Sequence, residues 1–397
     1  MKKILIIGAG FLQSFIIKKA KEMDYYTFAI DKNPNSIGFK FADEYEVIDI
    51  VDQEACLQYA ISKKVDGVIT AATDYGVISA AYVAQEMNLP GLNYEVAKIV
   101  KNKYLVRRNL FENKVDDIKQ YYEIANLTKL NKIKDNISYP VIVKPCDGSG
   151  SKAINKVNTF EELVLACNDA INASLEGKAL IEDFIEGKEF GVESFVFNGQ
   201  VHILGVMGKQ MTDPPDYAEL GHYMPSGLSI EEKIKRVVRN AIKSLGINFG
   251  SVNMDILVTN SNDICIIDVG ARMGGNLIGS HIIPLSTGID YMNIIIKAAT
   301  GGTVEIEDPV TKVNVSTRLL ALTPGKVIHL PDFNHIKKEF EVEIYHYLEL
   351  GSEIKEYRNN LDGCGYIISV SKKLEDALFK TEKALRLVDK GIIRLVE

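Results

Sequence analysis

The sequence predicts a multidomain protein of mixed α/β and α+β class whose first domain is a doubly wound parallel sheet. Its 397 residues exceed what one hydrophobic core usually holds. Over roughly the first 100 residues, short apolar strands alternate with helical patterns, which is typical of a parallel sheet. From Pro140 onwards the apolar segments come in pairs joined by turn residues, which indicates antiparallel strands.

The composition excludes several classes of protein. Apolar residues make up 46% and charged residues 25%, an ordinary globular balance. The net charge is −7 and there is no dense basic stripe, so nucleic acid is an unsuitable partner. The five cysteines are far apart and form no C-x-x-C pair, which fits a reducing compartment. Because no apolar run reaches the roughly 18 residues of a membrane span, we expect a soluble, cytoplasmic protein.

The elements of the first domain follow from its apolar periodicity. We predict strands over residues 3–7, 26–30 and 65–70, and helices over residues 11–23, 53–63 and 77–87. The turn residues Asn88 to Gly91 end the last of these helices, and a charged helix over 102–119 follows.

Capping and turn signals locate the later elements. Thr159 and Glu162 form a capping box, and so do Ser229 and Glu232. Asn198-Gly199 is typical of a primed turn in a hairpin. A second hairpin is expected at about 252–270, and a C-terminal module of strands with one helix over 374–388 ends the chain.

The most informative motif is a pair of aspartates in that second hairpin. A hairpin that is symmetric about Ser261 and Asn262 places Asp255 directly opposite Asp268. Two carboxylates facing each other are destabilising unless a positive charge lies between them. Few ligands, all oxygen, suit Mg²⁺, so we predict a metal site here; the alternative is that both carboxylates simply face solvent.

Two further segments point to phosphate chemistry. Arg272, four residues after Asp268, can reach a phosphoryl oxygen or a developing oxyanion. Lys144 lies inside an apolar strand, where lysine is rare without an anionic partner. A Gly/Ser loop follows Lys144, but it does not match a Walker A motif, because no G-K-[ST] enters a helix. Cys146 has no His/Asp arrangement around it and is read as structural.

Taken together these motifs resemble the ATP-grasp superfamily. The order matches over almost the whole chain: a doubly wound domain, a lysine, strand-Lys-Pro, a Gly-rich flap, an acidic hinge, two metal carboxylates and an arginine. The segment from Gly270 to Gly275 is similar to the carboxylate–amine ligases, including L-amino-acid ligases. The resemblance implies a Rossmann-like domain over 1–101, two α+β ATP-grasp subdomains over 102–190 and 191–305, and a C-terminal α+β domain over 306–397.

The resemblance also implies roles for individual residues. ATP and Mg²⁺ are the expected cofactors, small carboxylate and amine molecules the expected substrates, and a homodimer a possible assembly. Asp255 and Asp268 would hold Mg²⁺, and Lys144 and Arg272 would act in catalysis. The nucleotide would be bound by Lys103, Lys144, Ser149, Gly150, Ser151, Glu182, Phe184, Ile185 and Glu189. The substrates would be bound by Lys209, Glu219, His222, Arg272, Gly274, Gly275 and Asn276.

The chain departs from the family pattern at two points. Both metal carboxylates are aspartates, where the superfamily often has glutamates. Gly270 stands where an asparagine is common, so the number of Mg²⁺ ions is left open.

The first glycine loop imitates a dinucleotide fingerprint and keeps a rival function open. Gly8 and Gly10 fit that fingerprint and Asp31 ends the second strand, but Gln13 replaces the third glycine. An NAD-dependent oxidoreductase is therefore one alternative to a ligase that forms an acyl phosphate. A carboxyphosphate-forming enzyme and a non-catalytic nucleotide sensor are two others. Thr73 and Asp74, after a strand, are expected either to face the cleft or to cap a helix.

Overall fold

The computed structural model describes residues 1–148, 150, 152–214 and 217–395. Its first domain is the parallel α/β unit that the sequence predicts. Four parallel strands lie in the order β3-β2-β1-β4. The elements are β1 (Lys3–Ile7), α1 (Gln13–Glu22), β2 (Tyr26–Asp31), β3 (Glu44–Val47), α2 (Gln53–Lys63), β4 (Gly67–Thr70), α3 (Val77–Glu86) and α4 (Tyr94–Lys101). Strand β3 was not predicted.

The next segment forms a small α+β unit with an antiparallel sheet in the order β5-β8-β6-β7. Its elements are α5 (Lys103–Glu112), β5 (Tyr121–Ile124), α6 (Leu127–Ile133), β6 (Val141–Pro145), β7 (Asn155–Val157), α7 (Phe160–Ala173) and β8 (Ala179–Asp183). The charged helix predicted over 102–119 is too long, because α5 stops at Glu112 and the chain continues as a loop.

A large sheet of eight strands forms the centre of the molecule, in the order β13-β12-β9-β10-β11-β14-β18-β16. Its elements up to residue 300 are β9 (Lys188–Phe197), β10 (Gln200–Met211), β11 (Glu219–Met224), α8 (Glu231–Ser244), β12 (Gly250–Val258), β13 (Ile264–Gly270), α9 (Ile283–Thr287) and α10 (Tyr291–Ala299). The β9–β10 turn has positive φ at both Asn198 and Gly199, so the predicted primed turn is confirmed. The capping box predicted at Ser229 is wrong, since Ile230 takes the N-cap position without a side-chain bond.

The C-terminal segment adds strands to this same sheet. It contains β14 (Asn314–Leu319), β15 (Gly325–His329), α11 (Phe333–Phe340), β16 (Val342–His346), β17 (Glu353–Ile354), β18 (Gly365–Ser371), α12 (Leu374–Gly391) and β19 (Ile393–Leu395). Strands β14, β18 and β16 continue the large sheet, and β17, β15 and β19 form a small separate one. The sheet therefore crosses the boundary predicted after residue 305, and the first three residues of β9 precede the boundary predicted after 190.

The two faces of the large sheet differ in chemistry, as expected for strands whose side chains alternate. Val192 of β9 and Ile256 of β12 pack in one core cluster with Val238 and Ile242 of α8. The residues that alternate with these along each strand, including Asp255 on β12, therefore point to the opposite face of the sheet. This alternation gathers the polar side chains of several strands on the face that is not covered by α8.

Asn102 starts the helix that carries Lys103. Its side-chain oxygen accepts from the backbone N–H groups of Tyr104 and Leu105 at 3.0 and 3.1 Å, and its amide donates to Glu176 at 3.1 Å. The residue is 4% exposed, so water does not replace these bonds readily.

We expect Asn102→Ala to lower the free energy of unfolding by about 1–2 kcal/mol, because the substitution removes an N-cap. Asn102→Ser keeps a capping oxygen and should retain most of that stability. Urea unfolding followed by far-UV circular dichroism measures both. Equal midpoints for the alanine and serine variants would show that the cap does not matter.

Candidate active site

The two aspartates of the β12–β13 hairpin lie opposite each other. Asp255 pairs with Asp268 in the ladder, as the sequence predicts. The route to this register differs from the predicted one. Near the turn the pairs Val258 with Ile264 and Leu257 with Cys265 are centred on Ser261. A bulge beside Asp255 then shifts the register by one residue, and this shift brings Asp268 opposite Asp255.

Each aspartate has its own lysine. Lys209 Nζ lies 2.7 Å from Asp255 Oδ1, and Lys103 Nζ donates to Asp268. Burial alone would raise the pKa of Asp268, but Lys103 and Lys144 lower it to about 2. The carboxylate is therefore ionised at neutral pH. Because protein cations already neutralise both carboxylates, their proximity does not by itself require a metal ion.

Lys209 is the centre of a buried cluster of carboxylates. Its side chain is 3% exposed and approaches Glu219 at 3.5 Å and Glu189 at 3.6 Å in addition to Asp255. Burial would lower the pKa of Lys209, but the three carboxylates raise it above its ordinary value. Lys209 is therefore a fixed positive charge beside the aspartate pair.

Four of the seven residues predicted to bind substrate form a connected network around Glu219. Asn276 Nδ2 donates to Glu219 Oε1 at 2.6 Å, and His222 Nδ1 lies 3.0 Å from the same oxygen. Tyr366 donates to Asn276 Oδ1 at 2.9 Å. Burial lowers the pKa of the fully buried His222. Lys209, Glu219, His222 and Asn276 therefore meet at one place, although they come from three separate segments.

Lys144 is held by an anionic partner, as its position in an apolar strand predicts. Its Nζ lies 2.5 Å from Glu182 Oε1 and donates to Ile267 O at 2.8 Å. Glu182 also accepts from Arg107 at 2.8 Å and is 2% exposed. The Glu182 side chain is thus engaged with two cations, and only its backbone could meet an adenine ring.

The rest of the predicted nucleotide segment is partly described. The centroid of the Phe184 ring lies 4.0 Å from Lys156 Nζ. The backbone N–H of Phe184 donates to Pro140 O, and Ile185 is partly exposed. Gly150 has a φ of +72°, which favours glycine. Ser149 and Ser151, also predicted here, lie outside the described residues.

Arg272 is fixed by a residue of the N-terminal domain. Its Nε lies 2.9 Å from Asp74 Oδ1, and its Nη2 donates to Asp74 Oδ2 at 3.0 Å. A Cβ on Gly270 would lie 2.8 Å from Asp74 Oδ1 and 2.9 Å from Arg272 Cζ. Glycine at 270 therefore makes room for this ion pair, which gives a physical reason for the departure from the family pattern.

A cleft of about 290 Å³ lies between these groups, lined among others by Asp74, Lys101, Lys103, Asp268 and Gly270. Lys101 was missed by the sequence reasoning, because a lysine on an amphipathic helix looks like a surface residue. Its Nζ donates to Asp147 O at 2.6 Å, at the base of the Gly/Ser loop. The cleft is thus lined by two lysines and by one carboxylate of the aspartate pair.

The side chain of Gln13 fills the space inside the first glycine loop. Gln13 donates to Ala71 O at 2.6 Å, and its Oε1 would lie 2.8 Å from a Cβ on Gly10. Asp31 accepts from the N–H of Ala9 at 2.9 Å, so its carboxylate is used within the loop. These contacts argue against a dinucleotide at this position. Leu12 lies near Gly275, so the loop faces the substrate network.

Glu193 is a buried carboxylate that the sequence reasoning missed, although an acidic residue inside an apolar strand is a usable signal. It is fully buried and accepts from Gly274 N at 3.1 Å and from Asn253 Nδ2 at 3.0 Å. Burial raises its pKa to about 7, against these two donors and the charge of Arg272. Glu193 therefore supports the loop of Gly274 and is not among the residues that line the cleft.

No group of three or more His, Cys, Asp or Glu side chains suited to a metal ion occurs within the described part of the chain. A site made of two carboxylates would need its remaining ligands from a bound molecule or from water. Among the same described residues, no helix is long and apolar enough to cross a membrane.

The comparisons with known proteins now identify the class. Residues 137–280 match the ATP-grasp domain model, so the chain contains an ATP-grasp domain. The crystal structure of an L-amino acid ligase from Bacillus licheniformis superposes with a TM-score of 0.85 at 22% identity, covering 100% of this chain and 99% of the other. A phosphoribosylglycinamide synthetase from Anaerococcus prevotii gives a TM-score of 0.76 at 27% identity, with full coverage of both chains.

Two further relatives extend the comparison. The biotin carboxylase domain of a 2-oxoglutarate carboxylase from Hydrogenobacter thermophilus, solved as a dimer with MgADP and bicarbonate, gives a TM-score of 0.79 at 20% identity over 100% of this chain and 91% of that one. A formate-dependent phosphoribosylglycinamide formyltransferase from Prochlorococcus marinus is 28% identical over 196 residues. That match covers 46% of this chain and 48% of the relative, about half its length.

The predicted resemblance is confirmed: residues 137–280 form an ATP-grasp domain, and the proteins that the chain resembles support an ATP-dependent, ADP-forming ligase. The mixed α/β and α+β fold with a parallel N-terminal sheet is confirmed as well.

Glu193 predicts a specific pH dependence of stability. Its pKa is about 7 in the folded protein and about 4.5 when unperturbed. The folded state thus keeps a proton that the unfolded state has lost, and stability falls as pH rises from about 4.5 to 7.

We expect Glu193→Gln to remove that slope, so that its stability relative to the wild type increases by up to a few kcal/mol between pH 5 and 8. Urea unfolding of both proteins at several pH values measures the difference. A difference that is the same at all pH values would contradict the assignment.

Proposed function

We propose that the protein is a Mg²⁺-dependent ligase that activates a substrate carboxylate with ATP as an acyl phosphate and joins it to an amine. ADP and phosphate would be released. The observation that carries this proposal is the face-to-face pair Asp255 and Asp268 with Lys103 and Lys144 beside it, inside an ATP-grasp domain. Such an arrangement binds and neutralises a chain of phosphates.

Lys103 and Lys144 would bind the phosphates of ATP. Both ammonium groups lie next to the strand that carries Asp268. Phe184, Ile185 and the backbone of Glu182 would contact adenine, Glu189 would accept from the ribose, and the loop with Gly150 would cover the phosphates. Covering them would keep water from an acyl phosphate.

The aspartate pair fits Mg²⁺. Its donors are oxygens only, and the side chains of Asp255 and Asp268 are 28% and 40% exposed, so both are accessible to solvent. Mg²⁺ usually takes one or two carboxylates and completes its ligands with water and phosphate oxygens. When bound, the ion would neutralise the phosphates and polarise the one that is transferred. Gly270 offers no side chain for a second ion, so we propose a single Mg²⁺ site.

Arg272 would orient the substrate carboxylate and stabilise negative charge that develops on the transferred phosphoryl group. Its ion pair with Asp74 holds the guanidinium in place before substrate arrives, so little side-chain freedom is lost on binding. Gly274 and Gly275 let the backbone approach the substrate closely.

The network of Lys209, Glu219, His222 and Asn276 supports an amino acid as one of the substrates. It places acidic and basic groups a short distance apart, which is what an α-amino acid requires. The name of the Bacillus licheniformis relative points the same way. We further propose that the protein acts in the cytoplasm as a homodimer.

One second candidate has a specific observation in its favour. The Hydrogenobacter thermophilus neighbour was solved with bicarbonate, so an enzyme that forms carboxyphosphate is a rival on the same fold. ADP release that depends on bicarbonate and not on an amino acid would select the rival. Release that depends on pairs of amino acids or other carboxylates and amines would support the proposed ligase.

We expect Asp268→Asn to lower the rate of ADP release in that screen by about a hundredfold or more, since it removes one of the two carboxylates that would hold the Mg²⁺ ion on the phosphates. The matched control is Asp263→Asn in the turn of the same hairpin, where the side chain is 63% exposed. The control should keep the wild-type rate. A wild-type rate for Asp268→Asn would rule out the proposed metal site.

A further inference from the structure

Arg107 is a buried arginine for which the proposed chemistry has no use. It lies on α5, one turn after Lys103, and its side chain is 3% exposed. Burial would lower its pKa, but Glu182 and Asp116 raise it above the ordinary value. A buried charge of this kind is costly unless its partners are well placed, so the partners of Arg107 are informative.

The guanidinium has three partners from three segments. Its Nε donates to Glu182 Oε2 at 2.8 Å, its Nη1 lies 2.7 Å from Asp116 Oδ2, and its Nη2 donates to the carbonyl of Ile266. Asp116 is fully buried and also accepts from the N–H of Ile266 at 3.1 Å. The Arg107–Asp116 pair therefore satisfies both backbone polar groups of Ile266.

Ile266 lies in β13, which is an edge strand of the large sheet. An edge strand leaves backbone groups without partners on its outer side. Here Arg107 and Asp116 take the groups of Ile266, and Lys144 takes the carbonyl of Ile267 at 2.8 Å. The bulge that brings Asp268 opposite Asp255 lies at this point of the ladder. Side chains of the small unit thus occupy the strand edge next to the bulge.

Glu182 closes the arrangement into one network. It accepts from Arg107 through one oxygen and pairs with Lys144 through the other. Arg107 and Lys144 carry two positive charges, and Asp116 and Glu182 carry two negative ones. Apart from Lys144, none of these side chains has a proposed contact with the transferred phosphate.

We infer that Arg107 is a positioning residue for the nucleotide and metal site. Through Glu182 it fixes the position of Lys144, and through Ile266 it fixes the strand that leads to Asp268. The inference rests on the proposed function, because it assigns Arg107 a role in holding the groups that would bind MgATP. It predicts that a change at Arg107 affects nucleotide binding beyond any effect on folding.

The test is calorimetric titration of the full chain with ADP, in the presence and absence of Mg²⁺. Arg107→Lys keeps the charge but cannot reach all three partners, because lysine lacks the planar fork of arginine. We expect its affinity for MgADP to fall at least about tenfold, as for residues that support metal ligands. The factor by which Mg²⁺ improves ADP binding should shrink as well. Arg108→Lys, an exposed neighbour on the same helix, is the matched control and should bind as the wild type does.

Each outcome decides one question. If the wild type does not bind MgADP, the proposed function is wrong. If the wild type binds and folded Arg107→Lys binds equally well, with only a lower thermal midpoint, Arg107 is merely structural and the inference is wrong. If Arg107→Lys fails to fold, Asp116→Asn replaces it. The amide oxygen can still accept from the N–H of Ile266, but the negative charge beside Arg107 is removed. Wild-type MgADP binding by folded Asp116→Asn would then overturn the inference.

Discussion

The proposed site depends on the electrostatic balance around Asp255 and Asp268. The two carboxylates lie opposite each other in a ladder, where like charges repel. The ion pairs of Lys209 with Asp255 and of Lys103 with Asp268 offset this repulsion. Both lysines come from distant parts of the chain, so the site exists only when the helix with Lys103 and the large sheet are packed together.

The other units contribute charged side chains around the aspartate pair. The N-terminal domain contributes Asp74, which fixes Arg272, and Gly270 leaves the space for it. The small unit contributes Lys144 and Glu182, which reach the edge of β13. The glycine loop near Gln13 packs close to Gly275, beside the network around Glu219. These contacts explain why a doubly wound domain without space for a dinucleotide is still required by the proposed chemistry.

The sequence was sufficient for features that depend on local patterns. The parallel first domain, the turn at Asn198 and the pairing of Asp255 with Asp268 all follow from periodicity and turn residues. The pairing was predicted from a turn centre that was off by half a residue, and the bulge beside Asp255 compensated for the error. A bulge of this kind has no local sequence signal, since it depends on what binds the strand edge.

Features that depend on remote partners could not be predicted. Arg107 and Asp116 lie in the segment predicted as one charged helix over 102–119, and nothing near them in sequence indicates that both bind the backbone of Ile266. Glu182 stays a predicted nucleotide-binding residue, but nothing in the local sequence indicates that its carboxylate binds Lys144 and Arg107. The strands β14, β16 and β18 were assigned to a separate domain, whereas long-range pairing adds them to the central sheet.

The central claim is that the substrate carboxylate itself attacks the terminal phosphate of ATP. The most direct measurement uses a carboxylate that supports ADP release, labelled with ¹⁸O in both carboxyl oxygens. Attack by the carboxylate moves one labelled oxygen into the inorganic phosphate, and mass spectrometry of that phosphate measures it. The account predicts one ¹⁸O atom per phosphate released. Unlabelled phosphate, or label in AMP, would contradict it.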